Sequence, residues 1–460
     1  MKKIIMIIAG AIVLGVVAGL IWLYVLKPKS EDNSATGENT TESTANADDS
    51  SNDGSGANTE GVSAAVSTEE FEKAATGVDG IVIPEGTRIV ALGEATHGNV
   101  EYQELKLDVF KHLVETTNVR ALVLEGDIGG CQMANLYIQG GEGTAEDVTT
   151  HLGYKIYRTD QMCELVKWMR EYNETAAEGD KVRLYGMDMQ YDQDMITVID
   201  NFYGKVDTSK QSKYTPKMKD YLGDSYDTYK ADKYDDIVAL MDEIESDIDS
   251  NAAAYTEKTS AEEVEMTKQL AENIKYFISY SVKEDSSNKA RDTYMKKNVD
   301  WILGVEESEH KGAIMIGCHN GHMTQSQTNM YNILGSLLNE SYGDSYFAIG
   351  TDFYITKDNV PDATTGERVT AELCSDDPLA VVVKDLPENR YYIDFTKVDA
   401  NSDLGKVINN KMTTGSVGEY YDESFKTMKV YYQISFAPTE LYDAMIFYYE
   451  VTPITIWDMN

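Results

Sequence analysis

Short apolar runs alternate with segments of helical periodicity along most of this chain, and that alternation constrains its fold more than any other feature. Arg88 to Leu92 reads as a strand, followed by a glycine-containing turn from Gly93 to Gly98. In Glu101 to Thr116, Leu105, Val109 and Leu113, flanked by Phe110 and Val114, recur at helical spacing, and Ala121 to Leu124 is the next strand. A strand-helix-strand unit of this kind implies parallel pairing. Val182 to Met187, Ala313 to Gly317, Tyr346 to Tyr354 and Met445 to Val451 read as further strands, so the expected fold is α/β, a mixed or mostly parallel sheet flanked by helices. Between about Tyr214 and Ser308 the strand signal disappears. There Val264, Met266, Leu270, Ile274, Phe277 and Ile278 keep helical spacing, which places a helical insertion at about 212–310.

The N-terminal part has a different character. Ile4 to Leu26 is an unbroken run of apolar residues and glycine, long enough for a helix that crosses a bilayer, with Lys2 and Lys3 before it and Lys27 and Lys29 after it. No A-x-A cleavage site is evident, so residues 1–29 are expected to be a retained single-pass anchor with the body outside the cytoplasm. Residues 30–66 are rich in Ser, Thr, Asn, Asp and Glu, and too poor in apolar side chains to offset ordering entropy, which is the composition of a tether. The folded body is expected over 67–460, beginning where Ser67 and Glu70 have capping-box spacing. A formal net charge of −38 argues against nucleic acid, or an anionic membrane surface, as a partner. Cys131, Cys163, Cys318 and Cys374 are widely spaced and suggest neither a zinc knuckle nor a disulfide framework.

Chemistry concentrates at the strand ends. Of six histidines, His97 follows the first strand, and His319 and His322 follow the run Ala313 to Gly317. Glu125 and Asp127 follow another strand, as do Asp188 and Gln190. If the strands are parallel, these turns share one edge of the sheet and the residues converge, where open α/β sheets bind ligands. Each also has a plain structural use, because a strand-end carboxylate often caps the next helix and a histidine beside glycine often bonds a carbonyl. A neutral imidazole can take a proton from water at physiological pH while a carboxylate orients it, and that role falls to His97 with Glu94 or Glu125. No G-x-S-x-G is present, so direct attack by water is simpler than a serine nucleophile. Glu94 with His97, and His319 with His322, are each three apart, which keeps metal ligation open as an alternative, although no H-E-x-x-H helix accompanies them.

The motifs GEATHG (93–98), ELK (104–106), LEGD (124–127), YRT (157–159), YGMDMQ (185–190), RDTYMKKNVDWIL (291–303), HNGH (319–322) and ELYDAMIF (440–447) follow one another as in erythromycin esterase-like proteins. The resemblance covers nearly the whole body from about Val82. It implies a helical subdomain that forms a cleft with the α/β core, and hydrolysis of a carboxylic ester or macrocyclic lactone, such as that of erythromycin, without a metal or cofactor. By position His97 resembles the family's general base, and Glu94, Glu125, His319 and His322 its other active-site positions. Arg291 resembles a basic position that would bind substrate or stabilise an oxyanion. Lys106 stands where some members carry arginine, and with Asp127, Asp188 and Gln190 it completes the expected substrate-binding set. Two further readings remain at this point: a metal-dependent hydrolase using the same cluster, and a surface binding protein without catalysis.

Overall fold

The computed structural model describes residues 66–221, 233–282, 288–310, 312–328 and 331–458. The expected anchor and nearly all of the tether lie outside them. Among the described residues no helix is long and apolar enough to cross a membrane.

Among the described residues eleven strands form, in chain order: β1 Ala75–Thr76, β2 Ile89–Glu94, β3 Val119–Asp127, β4 Arg183–Asp188, β5 Ala313–His319, β6 Tyr346–Pro361, β7 Arg368–Cys374, β8 Arg390–Asp394, β9 Met412–Gly415, β10 Gln433–Phe436 and β11 Ala444–Val451. Nine of them make the main sheet, in the order β1-β8-β11-β6-β2-β5-β3-β4 with β7 on the outer part of β6. The six strands from β11 to β4 are mutually parallel, and β1, β7 and β8 pair antiparallel. The fold is therefore the expected mostly parallel α/β sheet. Every residue of β2 and β5 is buried, as a parallel sheet covered on both faces requires. Ile89 and Ala91 face one apolar layer with Val123 and Ile316, while Val90 and Leu92 face the other with Leu122 and Met315.

The helix Val100–Thr116 buries Leu105, Val109 and Leu113 against the second layer, each burial contributing about 1.5–3 kcal/mol. Against the first layer lie the long helices Tyr234–Thr256, Ala261–Val282 and Asn288–Val305, in the stretch without strand signal. At the start of the body Ser67 Oγ accepts the Glu70 amide at 3.2 Å, as its spacing predicts. The Glu70 carboxylate does not close the capping box. It accepts the Leu404 amide at 2.9 Å instead, because tertiary contact offers it a buried donor. The antiparallel strands β7 and β8 carry no signal that the sequence reading detected.

Candidate active site

In the parallel pair β2 and β5, Glu94 and His319 are Cα partners at the last residue of each strand. The register itself thus sets the first carboxylate beside the second histidine. His97 lies in the turn after β2 and folds back over this pair, its Nδ1 2.8 Å from Glu94 Oε1 and its ring centroid 4.7 Å from that of His319.

The turn is braced from several elements. The Val417 amide donates to the Ala95 carbonyl at 2.7 Å, and the Gly98 carbonyl accepts the amides of Asn359 and Ile454 at 3.2 and 2.9 Å. Asn99 Nδ2 donates to the carbonyls of Lys357 and Thr452 at 2.9 and 3.1 Å. At Gly98 a Cβ would collide with the Asp358 carboxyl and the Asn359 carbonyl, so only glycine allows β6 to approach this closely.

Lys106 reaches Glu94 Oε2 from the helix Val100–Thr116, and both side chains are buried. Burial alone would push the Glu94 carboxyl up, but the Lys106 ammonium and the His97 ring hold it down at about 2. Burial pushes the His97 imidazole down. Its hydrogen bond to Glu94 and the charges of Glu94, Glu125 and Glu419 outweigh that and raise it above its ordinary value. His319 behaves oppositely, since burial and then the neighbouring His97 push it down to about 4. Its Nδ1 accepts the Gly321 amide at 3.0 Å and its Nε2 lies 2.9 Å from the Val417 carbonyl. An amide can only donate and a carbonyl can only accept, so this hydrogen-bond network assigns a neutral ring with the proton on Nε2.

A second group of side chains adjoins the first through Glu125. This residue lies within the register shift between Leu124 and Asp127. Its Oε2 accepts the His319 amide at 2.9 Å and its Oε1 accepts Arg291 Nη2 at 2.7 Å. Arg291, buried on the helix Asn288–Val305, also donates from Nε and Nη2 to Asp188 Oδ2 at 3.0 and 2.7 Å. Its Nη1 lies 3.0 Å from His322 Nε2, and His322 Nδ1 lies 2.6 Å from Asp292 Oδ1. Burial pushes His322 down, and Glu125 and Asp292 outweigh it to raise the ring, whereas Nη1 of Arg291 can only donate and so favours neutral Nε2. Asp188 further accepts Tyr154 OH at 2.5 Å and Gln190 Nε2 at 3.0 Å. Despite burial, Glu125 is held well below the carboxylate range by His322, Arg291 and His97.

Glu94, His97, Lys106, Glu125, Asp188, Gln190, Arg291, His319 and His322 are thus joined by direct contacts. Asp127 is placed otherwise. It caps the helix Ile128–Ile138 by accepting the Gly130 amide at 2.6 Å, and burial with the nearby Asp194 raises it far above the usual range. Arg291 and Lys106 point their donors at protein carboxylates rather than outward. Sequence reasoning missed Asp292, Tyr154 and Val417. Asp292 stood in plain view beside Arg291 in the RDTYMKKNVDWIL stretch, whereas Val417 acts through its backbone, for which a side chain gives no signal. Cys318 is buried and its thiol is pushed up, which leaves it without thiolate character. Among the described residues no group of three or more His, Cys, Asp or Glu is arranged to hold a metal ion.

The fold matches that of a Bacillus cereus protein of known crystal structure, at a TM-score of 0.68 and 22% identity, over 87% of this chain and 96% of that one. A succinoglycan biosynthesis protein matches at a TM-score of 0.68 and 18% identity, over 85% and 98%. A mutant of the erythromycin esterase EreC in its open conformation matches at 0.57 and 16% identity, over 86% and 97%. YbfO of Bacillus subtilis (strain 168), provisionally named a hydrolase, is 23% identical over 283 residues, 56% of this chain and 61% of its own length, so the match spans about three fifths of that relative. The sequence profile of the erythromycin esterase family matches residues 114–451, which takes in Glu125, Arg291, His319 and His322 but begins after His97. On that match, which covers well over half of its length, the chain belongs to the erythromycin esterase family.

Proposed function

We propose that this protein is a hydrolase that cleaves a carboxylic ester or a macrocyclic lactone with water activated by His97. One observation carries the reading. Glu94 engages Nδ1 of His97 at 2.8 Å, while Nε2 makes no hydrogen bond to any described residue and the side chain keeps 19% of its surface exposed. A carboxylate on Nδ1 fixes the tautomer in which Nε2 carries the free lone pair, and it stabilises the imidazolium that forms. Water would give a proton to Nε2 as its oxygen attacks the carbonyl carbon. The imidazolium would return that proton to the departing alkoxide as the C–O bond breaks, giving acid and alcohol, or an opened hydroxy acid from a lactone. Lys106 balances the Glu94 charge, and His319, with both nitrogens engaged, forms a neutral wall against the His97 ring. The relatives named for hydrolysis and for erythromycin support the class of reaction, and the bound partner is then a small-molecule ester or lactone.

The test is mass-spectrometric screening of the purified protein against macrolides and a panel of cell-envelope esters, followed by His97→Asn on whichever substrate is turned over. The variant should fold and lose about 100-fold or more in turnover. Full turnover with an unchanged melting profile would remove His97 from catalysis. His112→Asn is the control. His112 Nε2 bonds the Ile81 carbonyl at 2.8 Å, so that change should lower stability and leave turnover intact.

A further inference from the structure

Seven large hydrophobic side chains are exposed among the described residues, and four of them fall in one short stretch: Tyr420 (50%), Met428 (47%), Val430 (73%) and Tyr431 (46%). Tyr420 and Tyr431 are brought together because both pack on the buried Phe425 ring, at centroid distances of 6.4 and 5.8 Å, and Met428 and Val430 are exposed in the turn that leads into Tyr431. The patch hangs from the segment that braces the site. Val417 holds the His97 turn and His319, Glu419 contributes to the electrostatic environment of His97, and the Ser416 amide donates to the Tyr432 carbonyl at 2.8 Å. Four exposed apolar side chains gathered in one short segment make a candidate contact surface.

We infer that this patch rests in the surface of a lipid bilayer. The exposure favours lipid over a small molecule, since ligand sites are concave and bury most of their ligand, whereas Val430 stands almost clear of the protein. Tyrosine beside aliphatic side chains is the composition that settles at the boundary of headgroups and acyl chains. Lys426 and Lys429 are paired with Glu423 and Asp376 at 2.9 and 2.7 Å, so the patch offers no surplus positive charge for anionic headgroups. Attraction must come from apolar insertion, and zwitterionic lipid suits a chain of net charge −38. The inference is independent of the reaction proposed above, but it takes the expected anchor at residues 4–26 as what keeps a bilayer within reach. A polar stretch of the length of residues 30–66 has an r.m.s. span of about 30–40 Å when unstructured. A tether of that length leaves the orientation of the body open, and the patch decides it.

The test uses the full-length chain with the exposed Cys374 replaced by Ser and a single new thiol, Val430→Cys, labelled with an environment-sensitive fluorophore and reconstituted in phosphatidylcholine vesicles. Emission should shift to the blue, and lipid-borne quencher should lower it at least twofold. The same label at Val82→Cys, which is 61% exposed and far from this segment in sequence, should report water. Vesicle flotation of the same samples separates two failures. A chain that floats while its Val430 label stays in water overturns the lipid contact alone, and a chain that does not float overturns the anchor with it. Equal quenching at both labels, or a shift at Val430 that needs added ester substrate and no vesicles, also overturns the lipid contact, the last by assigning the patch to substrate.

Discussion

The carbonyl of Val417 lies 2.9 Å from Nε2 of His319, while the amide of the same residue donates to Ala95 at 2.7 Å. One peptide segment from far along the chain therefore fixes the tautomer of one histidine and the turn that carries another. Val417→Pro removes the N–H that the Ala95 carbonyl accepts and, through its ring, also fixes φ and replaces the buried isopropyl group, while keeping the carbonyl that faces His319. The expected outcome is a stability loss of about 1–3 kcal/mol by chemical denaturation and a fall in kcat on the order of tenfold. Unchanged kcat would show that the turn needs no such brace.

The acid limb of the pH-rate profile should belong to His97. A base must be unprotonated to accept a proton from water, and His97 is raised above its ordinary value. Thus kcat/KM should fall as pH drops through a value above that of an ordinary histidine. Glu94→Gln removes the partner that raises His97, so the limb should move to lower pH while kcat also falls. A limb near pH 4 would assign the base to His319 instead.

Removing Arg291 should cost stability before it is read as catalysis. Arg291→Met leaves Glu125 and Asp188 buried without their guanidinium, a loss of about 3–5 kcal/mol that a melting curve would register. Arg291→Lys should recover part of this, because an ammonium restores charge without the forked geometry. A melting curve unchanged in Arg291→Met would mean that the carboxylates find other partners.

Extensive dialysis against a chelator should leave hydrolysis essentially unchanged. Five of the six ring nitrogens in the cluster are spoken for, His97 Nδ1 by Glu94, both nitrogens of His319 by Gly321 and Val417, and those of His322 by Asp292 and Arg291, and the remaining His97 Nε2 is the atom proposed to take the proton from water. Activity that disappears and returns with stoichiometric zinc or manganese would favour the metal-dependent alternative.

The parallel core was legible because its strands are buried on both faces and read as apolar runs separated by helical spacing. β2 to β6 and β11 were found for that reason, although their ends were drawn short. Glu94 and His319 belong to the strands themselves, since a buried polar residue at a strand end breaks the apolar pattern without breaking the ladder. β7 carries the alternation of a half-buried strand, with Val369, Ala371 and Leu373 on its inner face, and was missed because it is not a continuous apolar run. The histidines and carboxylates were legible by type and position. Which of them touch was not, because partners such as Glu125 and Arg291 are far apart in the chain and meet only through strand register and helix docking. Asp127 shows the limit from the other side: its strand-end position is the same as that of Glu125, and its use is a helix cap.

The turn that carries His97 is stitched to the far end of the chain, through Asn99 to Thr452 and through Gly98 to Ile454. During synthesis the sheet can begin to assemble from its N-terminal strands, but the base cannot be set until β11 and the residues after it have left the ribosome. A nascent chain stalled before Thr452 would hold every side chain of the candidate site but lack the contacts of Thr452 and Ile454 that brace the His97 turn. Setting of the His97 turn thus waits on residues more than 350 positions further along the chain.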